Sequence, residues 1–279
     1  MTRWAYVNGR YLPIGQAHVS ILDRGFLFAD AIYEVTAVVN GRPVDMPSHL
    51  ARLARSAREL DLPLALDDTA IAAVHAELIA RNALDEGMVY LQATRGAADR
   101  DFLPAPDLAP TLVLFTQEKR LTGPSAGIAV KSLPDIRWAR RDIKSVALLA
   151  QVLTKRAAAD AGCQEAWMIE DGFVTEGASS TAWIVTGDGR LVTRAPSHVT
   201  LPGCTALALA ALAAERGLAI DYRPFTLDEA LAASEAFISA ASSFIEPVNS
   251  IDGMAIGTGA PGPIATRLRE LYIAFARGG

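Results

Sequence analysis

The sequence predicts an α+β protein with two domains. Asn-Gly or Asp-Gly pairs recur between apolar runs, and such pairs tolerate the positive φ angles of tight hairpins, which indicates antiparallel sheet in both halves. Alanine- and leucine-rich stretches with helical spacing lie between the hairpins. At 279 residues the chain is long enough for two ordinary domains. The pairs are Asn8-Gly9, Asn40-Gly41, Asp171-Gly172, Asp188-Gly189 and Asp252-Gly253.

A polar segment near the middle of the chain separates the two predicted domains. Residues 119–124 follow a predicted strand over 111–116, end in Gly-Pro and show no periodicity, as expected of a linker. We therefore expect an N-terminal α+β domain over residues 1–118, a linker over 119–124 and a larger, strand-rich domain over 125–279.

Helices are expected where apolar residues recur at helical spacing. One should begin near Asp67 or Asp68, because aspartate is a preferred N-terminal cap. The other predicted helices span residues 49–60, 145–161, 205–216 and 264–277.

The composition excludes several classes of function. The net charge of −5 argues against a nucleic acid bound through a basic face. Two cysteines do not make a disulfide framework, which fits a reducing cytoplasm. The chain shows neither a secretory leader nor an apolar run of membrane-spanning length, and its four histidines lack metal-ligand spacing. We expect a soluble, cytoplasmic protein without a metal site.

A lysine and a glutamate together predict a cofactor site. Lys144 precedes aliphatic residues, and an amine whose pKa is lowered by apolar surroundings readily forms a Schiff base with an aldehyde. Glu176 follows a predicted strand, and a carboxylate held against a pyridine nitrogen keeps that ring protonated, so the ring accepts carbanion electrons. The pair predicts pyridoxal phosphate. Taken singly, Lys144 also fits a surface lysine at a helix start, and Glu176 a solvated loop.

Residues 201–205, with the sequence Leu-Pro-Gly-Cys-Thr, begin an alanine-rich helix. Free backbone amides, a hydroxyl and the positive end of the helix dipole favour an anion site there. The same pattern also fits an ordinary helix start with Thr205 near the cap.

Five short motifs follow one another over nearly the whole chain. They are Tyr33-Glu34-Val35, His49-Leu50-Ala51-Arg52, Asp142-Ile143-Lys144-Ser145, Thr175-Glu176-Gly177 and Leu201-Pro202-Gly203-Cys204-Thr205. In this order they resemble the fold-type IV pyridoxal-phosphate enzymes, which include D-amino acid, branched-chain and (R)-amine transaminases and aminodeoxychorismate lyases. The Arg-Gly-(three residues)-Arg stretch over residues 95–100 most resembles D-amino acid aminotransferases. The resemblance implies a smaller N-terminal α/β sandwich, a larger C-terminal strand-rich pseudo-barrel and a homodimer.

The resemblance also implies roles for individual residues. Lys144 would bind the cofactor and move the substrate proton, and Glu176 would pair with the pyridine nitrogen. Tyr33 and Arg100 would receive the substrate carboxylate, and Val35 would line the side-chain pocket. The other expected cofactor contacts are the phosphate ligands Arg52, Gly203, Cys204 and Thr205, the ring contact Leu201, and Ser180 in the hydrogen-bond shell.

The carboxylate trap departs from the D-amino acid aminotransferase pattern, because Phe102 stands where the histidine of Arg-x-His is expected. One carboxylate donor is lost to apolar bulk. We expect a transaminase that moves an amino group between an amino acid, preferably a D-amino acid, and a 2-keto acid by a ping-pong mechanism. The alternatives are an (R)-amine or branched-chain transaminase, an aminodeoxychorismate lyase, and a binding protein that kept the fold without the chemistry.

Overall fold

The computed structural model describes residues 2–278 of the protein. These residues divide into two compact units. The first contains the residues up to Leu121 together with Ile143–Ala147, and the second contains Thr122–Asp142 together with the residues from Leu148 onward. The α+β prediction is confirmed, while the predicted domain boundaries stay a prediction.

Among residues 2–121 and 143–147, the first unit forms a six-stranded antiparallel sheet with strand order β2-β1-β6-β5-β3-β4. Its strands are β1 (Trp4–Val7), β2 (Arg10–Pro13), β3 (Ala31–Val39), β4 (Arg42–Pro43), β5 (Gly87–Thr94) and β6 (Thr111–Glu118). Its α-helices are α1 (Arg24–Phe28), α2 (Met46–Glu59) and α3 (Asp68–Arg81).

Local sequence explains where these elements begin and turn. Asp67 caps α3, because its carboxylate accepts a hydrogen bond of 2.8 Å from the amide of Ala70. The β1–β2 and β3–β4 hairpins turn at the predicted Asn-Gly pairs, where Asn8 has a φ of 45° and Asn40 a φ of 52°.

Strand β3 has two functionally different faces. Ile32 and Leu53 of α2 belong to one hydrophobic core, so the face that contains Ile32 and Glu34 lies under the helices. Because side chains alternate along a strand, Tyr33 and Val35 lie on the opposite face, where both are half-buried.

Among residues 122–142 and 148–278, the second unit forms a nine-stranded mixed sheet. Its strand order is β12-β11-β10-β13-β14-β7-β8-β9, and β15 pairs with β14. The strands are β7 (Ile128–Pro134), β8 (Glu165–Glu170), β9 (Phe173–Gly177), β10 (Thr181–Val185), β11 (Leu191–Thr193), β12 (Ile220–Tyr222), β13 (Glu235–Ala240), β14 (Phe244–Ile251) and β15 (Met254–Ala255). The helices are α4 (Leu149–Asp160), α5 (Cys204–Glu215), α6 (Leu227–Leu231) and α7 (Pro263–Ala276).

The predicted helix over residues 145–161 was wrong at its start. Ser145 forms an antiparallel bridge with Ile32, and the amide of Val146 donates to the carbonyl of Ala31 at 3.1 Å. The backbone at these positions is therefore hydrogen-bonded to β3, and the helix begins only at Leu149.

Aromatic pairs lie in the core of the second unit. Trp183 and Phe237 stack with ring centroids 5.6 Å apart, and Trp167 meets Phe225 edge-on at 5.9 Å.

No helix among residues 2–278 is long and apolar enough to span a membrane. Within the same residues, no cluster of three histidine, cysteine or acidic side chains is arranged to hold a metal ion.

Candidate active site

Lys144 belongs to the first unit, where its backbone is fixed beside β3. Its amide donates to the hydroxyl of Ser56 on α2 at 3.2 Å, and its carbonyl accepts from the amide of Tyr33 at 3.0 Å. Its amine lies 4.2 Å from the centroid of the Tyr33 ring. The half-buried side chain is thus directed over an aromatic face that attracts a cation.

A row of aromatic rings supports Tyr33. Its ring stacks on Tyr90 of β5 at 5.7 Å, and Tyr90 stacks on Phe115 of β6 at 4.9 Å. Val35 lies directly opposite Tyr90 in the register of the sheet. Burial raises the pKa of the Tyr90 hydroxyl, so this group stays neutral. The structure therefore groups Lys144 with Tyr33 and Val35 on one rigid face.

The other face of β3 contains a buried charge cluster. The Nε and Nη2 atoms of Arg52 donate to the Glu34 carboxylate at 2.8 and 2.7 Å, and the Nδ1 atom of His49 lies 2.7 Å from Glu34 Oε2. Burial opposes ionisation of Glu34, but the charge and hydrogen bonds of Arg52 and His49 outweigh it and lower its pKa to about 2. Arg52 is thus anchored on Glu34, and its predicted contact with a phosphate stays a prediction.

The sequence motifs contain Glu34 and His49, but they did not indicate that these residues form a cluster with Arg52. This cluster could have been predicted from spacing. Glu34 lies on the face of β3 opposite Tyr33, and His49 and Arg52 are three residues apart and so lie on one side of a helix.

Arg100 and Phe102 lie together on an exposed loop. The guanidinium carbon of Arg100 is 5.2 Å from the ring centroid of Phe28 and 5.5 Å from that of Phe102. Arg24, which no sequence motif indicated, donates to the carbonyls of Asp101 at 2.6 Å and Phe102 at 3.0 Å. The buried Arg24 side chain therefore fixes the loop, while the Phe102 side chain is 77% exposed.

Glu176 is buried near the end of β9 in the second unit. The Nη1 atom of Arg137 donates to its Oε1 atom, and the amide of Leu201 lies 3.2 and 3.3 Å from its two oxygens. Burial raises the pKa of Glu176, and the charge of Arg137 opposes this rise. The structure therefore joins Glu176 with Leu201 and adds Arg137, which belongs to none of the sequence motifs.

The start of α5 fits an anion. Gly203 is its N-terminal cap and provides no side-chain hydrogen bond, so the first amides of the helix are available for another acceptor. The hydroxyl of Thr205 is buried and finds no hydrogen-bond partner among residues 2–278. Buried hydroxyls are almost always hydrogen-bonded, so an unpaired one suggests that a ligand is its partner. This hydroxyl and the first amides of the helix together form a set of donors suited to a phosphate ester. The residues therefore fit the phosphate of the expected cofactor, with Cys204 present through its backbone.

Ser180 is buried after β9, but its hydroxyl already has an acceptor. It donates to Oε2 of Glu165 at 3.1 Å, as does the neighbouring Ser179, and Lys155 pairs with the same carboxylate at 2.8 Å. A contact between Ser180 and the cofactor stays a prediction.

An open pocket lies beside Glu176 and the start of α5 in the second unit. Glu176, Leu201 and Gly203 line it together with Arg194 and Trp183. Three predicted cofactor residues thus lie at one opening of the same unit.

Comparison with known proteins identifies the family. Residues 31–251 match the family model described as amino-transferase class IV. The chain is 36% identical over 264 residues to the D-alanine aminotransferase of Bacillus licheniformis, a match that covers 94% of this chain and 93% of that protein. The predicted resemblance to D-amino acid aminotransferases is confirmed.

Solved structures agree on the fold. The branched-chain amino acid aminotransferase of Escherichia coli superposes with a TM-score of 0.93 at 22% identity, over 100% of this chain and 96% of that one. The branched-chain amino acid aminotransferase of Thermobaculum terrenum, in its PLP-containing holo form, superposes with a TM-score of 0.88 at 22% identity, over 99% and 94% of the two chains. The predicted fold-type IV architecture is confirmed. The chain therefore belongs to the class IV aminotransferases and is a pyridoxal-phosphate-dependent transaminase, as its motifs predicted.

Proposed function

We propose that the protein transfers the amino group of a D-amino acid, D-alanine foremost, to a 2-keto acid. The observation behind this substrate is the 36% identity to a D-alanine aminotransferase over 94% of the chain. The likeness to branched-chain enzymes lies at 21–23% identity and concerns the fold alone.

Lys144 is the proposed catalytic residue. Pyridoxal phosphate, when bound, supplies an electron sink for the carbanion at the substrate Cα. The Lys144 amine would hold the cofactor aldehyde carbon and later move a proton between the substrate Cα and the cofactor C4′. Its position over the Tyr33 ring supports this role, because contact with the aromatic face holds the amine in place beside β3.

Residues of the second unit would orient the cofactor. Glu176 would pair with the pyridine nitrogen, and Leu201, whose amide is bonded to Glu176, would contact the ring. The amides of Gly203 and Cys204 and the hydroxyl of Thr205 would bind the phosphate. Arg52 and Ser180 are proposed as further cofactor contacts on the strength of the family motifs alone.

Arg100 and Tyr33 would bind the substrate carboxylate, and Val35 and Phe102 would limit the size of the substrate side chain. The guanidinium carbon of Arg100 lies 5.2 Å from the ring centroid of Phe28 and 5.5 Å from that of Phe102. The N–H groups of a guanidinium form a planar fork that matches a carboxylate, which supports this role for Arg100.

We also propose a homodimer in the cytoplasm. Four apolar residues of the first unit, on the segment that contains α1 and on the loop of Phe102, are 72–80% exposed, and an apolar surface of this kind is typical of an interface. They are Ile21, Phe26, Phe102 and Leu103. Cys163 and Cys204, both free thiols among the described residues, suit a reducing compartment.

A donor panel tests the proposal. D-alanine, D-glutamate, L-leucine and (R)-1-phenylethylamine would each be supplied with a 2-keto acid, and formation of the new keto acid or ketone would be followed. We expect the highest kcat/KM with D-alanine, a strict need for the acceptor, and no turnover by Lys144→Ala. Preference for L-leucine or the amine would contradict the D-amino acid assignment, and elimination without an acceptor would indicate a lyase.

A further inference from the structure

Arg137 is held in one orientation by Asp135. Its Nε atom donates to Asp135 Oδ1 at 3.0 Å and its Nη2 atom to Oδ2 at 2.7 Å, which is a two-point contact. The Asp135 side chain is fully buried and also accepts a hydrogen bond of 2.7 Å from the hydroxyl of Thr175. The guanidinium is therefore part of a closed network rather than a mobile surface group.

The remaining end of the guanidinium is directed at Glu176. Its Nη1 atom donates to Glu176 Oε1, and the two side chains are only 6% and 7% exposed. The amide of Leu201 donates to the same carboxylate. The Glu176 carboxylate is thus hydrogen-bonded to the Arg137 guanidinium and to the Leu201 amide, with the Asp135 carboxylate behind the arginine.

These surroundings decide the protonation of Glu176. Burial raises its pKa, and Arg137 is the main group that counters the rise. An arginine does not lose its proton in a protein, so this counter-charge is constant at every working pH. Burial also opposes ionisation of Asp135, but its hydrogen bonds with Arg137 outweigh that effect and lower its pKa.

We propose that Arg137 is a positioning residue that holds Glu176 as a carboxylate, so that the proton shared with the cofactor stays on the ring nitrogen. This inference rests on the proposed pairing of Glu176 with that nitrogen. A proton shared by two bases resides on the stronger one. The charge of Arg137 makes the Glu176 carboxylate a weaker base than the ring nitrogen. Without Arg137 the proton would pass to the carboxylate and leave a neutral ring, which accepts carbanion electrons poorly.

Arg137→Gln tests this in the holoenzyme, with Arg190→Gln as the matched control. Arg190 pairs with Asp221 on an exposed part of the second unit, where its hydrogen bonds go to Asp221 and not to Glu176. The readouts are the ¹⁵N resonance of ring-labelled cofactor and the single-turnover rate with D-alanine. For Arg137→Gln we expect a resonance displaced towards neutral pyridine and a rate lower by about 10- to 100-fold, the usual effect of a group that supports a site from outside it. Arg190→Gln should match the wild type.

Arg137→Lys and Glu176→Gln separate the possible results. Lysine keeps a charge but loses the fork, so a resonance between those of the wild type and Arg137→Gln is expected. If Arg137→Gln does not fold, Arg137→Lys decides: a resonance displaced towards neutral pyridine supports the proposal, and a wild-type one overturns it. If Glu176→Gln displaces the resonance and Arg137→Gln does not, the inference fails while the role of Glu176 stands. If neither displaces it, the proposed role of Glu176 is itself wrong.

Discussion

Arg52 and Glu34 form a buried two-point ion pair, with N···O distances of 2.8 and 2.7 Å, that joins α2 to β3. It lies on the face of β3 opposite Tyr33. Because Ser56 on the same helix binds the amide of Lys144, the ion pair and this hydrogen bond together fix the helix, the strand and the lysine relative to one another. The backbone around Lys144 is thus held in part by a buried charge pair on the opposite face of the strand.

The Glu34 carboxylate should make the stability of the protein depend on acid pH. Its pKa lies at about 2, below the ordinary value of 4.5, so its stabilising effect is complete above the ordinary value and is lost as the pH falls towards 2. Glu34→Gln should lower the free energy of unfolding near neutral pH by about 3 kcal/mol and remove this acid dependence. Denaturant unfolding near neutral pH and at about pH 3 measures both.

The exposed pair of Arg267 and Glu270 provides the control. Glu270→Gln should change the free energy of unfolding by less than about 1 kcal/mol at either pH. A Glu34→Gln protein as stable as the wild type near neutral pH would contradict the account of the ion pair.

Thr205→Val separates cofactor binding from folding. Valine has nearly the shape of threonine and removes a buried hydroxyl that has no partner among the described residues, so the apoprotein should melt at the same or a slightly higher temperature. A hydrogen bond to a charged phosphate is worth about 1.5–3 kcal/mol, so the Kd for pyridoxal phosphate should rise about 10- to 100-fold. Titration of apoprotein with the cofactor measures it. An unchanged Kd would place the phosphate elsewhere.

Phe102→His should strengthen binding of D-amino acids. The exposed Phe102 ring is 5.5 Å from the guanidinium carbon of Arg100, so an imidazole there would add a donor beside the carboxylate site. We expect KM for D-alanine to fall about 10-fold, with a smaller effect on kcat. Steady-state kinetics with D-alanine and with (R)-1-phenylethylamine give the comparison, since an amine without a carboxylate should gain nothing. Equal gains for both donors would show that the effect is not carboxylate binding.

The exposed apolar residues Ile21, Phe26, Phe102 and Leu103 should form a subunit interface. The double variant Phe26→Asp and Leu103→Asp places two charges on this surface, and light scattering after gel filtration should report a monomer where the wild type is a dimer. Met254→Asp, at a side chain of the second unit that is 51% exposed, is the control and should leave the mass unchanged. A monomeric wild type would refute the proposed dimer.

Much of the fold followed from local sequence rules. Asn-Gly pairs marked hairpins because they accept left-handed backbone angles, as Asn8 and Asn40 do, and Asp67 marked the start of α3. The start of α4 was missed because Ser145 has ordinary helix propensity and its pairing with Ile32 spans more than a hundred residues. Propensity describes a segment alone and contains no information about such a partner.

The residues of the candidate site were also predicted only in part from the sequence. Lys144, Glu176 and Thr205 lie in motifs whose chemistry is visible in sequence. Arg137 and Arg24 act through long-range contacts with Glu176 and with the loop of Phe102, and no spacing rule connects positions so far apart. Charged pairs between residues far apart in the sequence were therefore the part of the site that could not be predicted from the sequence.

Borohydride reduction followed by peptide mass spectrometry tests the central claim most directly. The holoenzyme would be reduced, digested and searched for a peptide bearing the mass of the reduced cofactor. We predict that this mass is attached to Lys144 alone and is absent from Lys144→Ala treated in the same way. Reduced holoenzyme in which Lys144 stays unmodified would contradict the account.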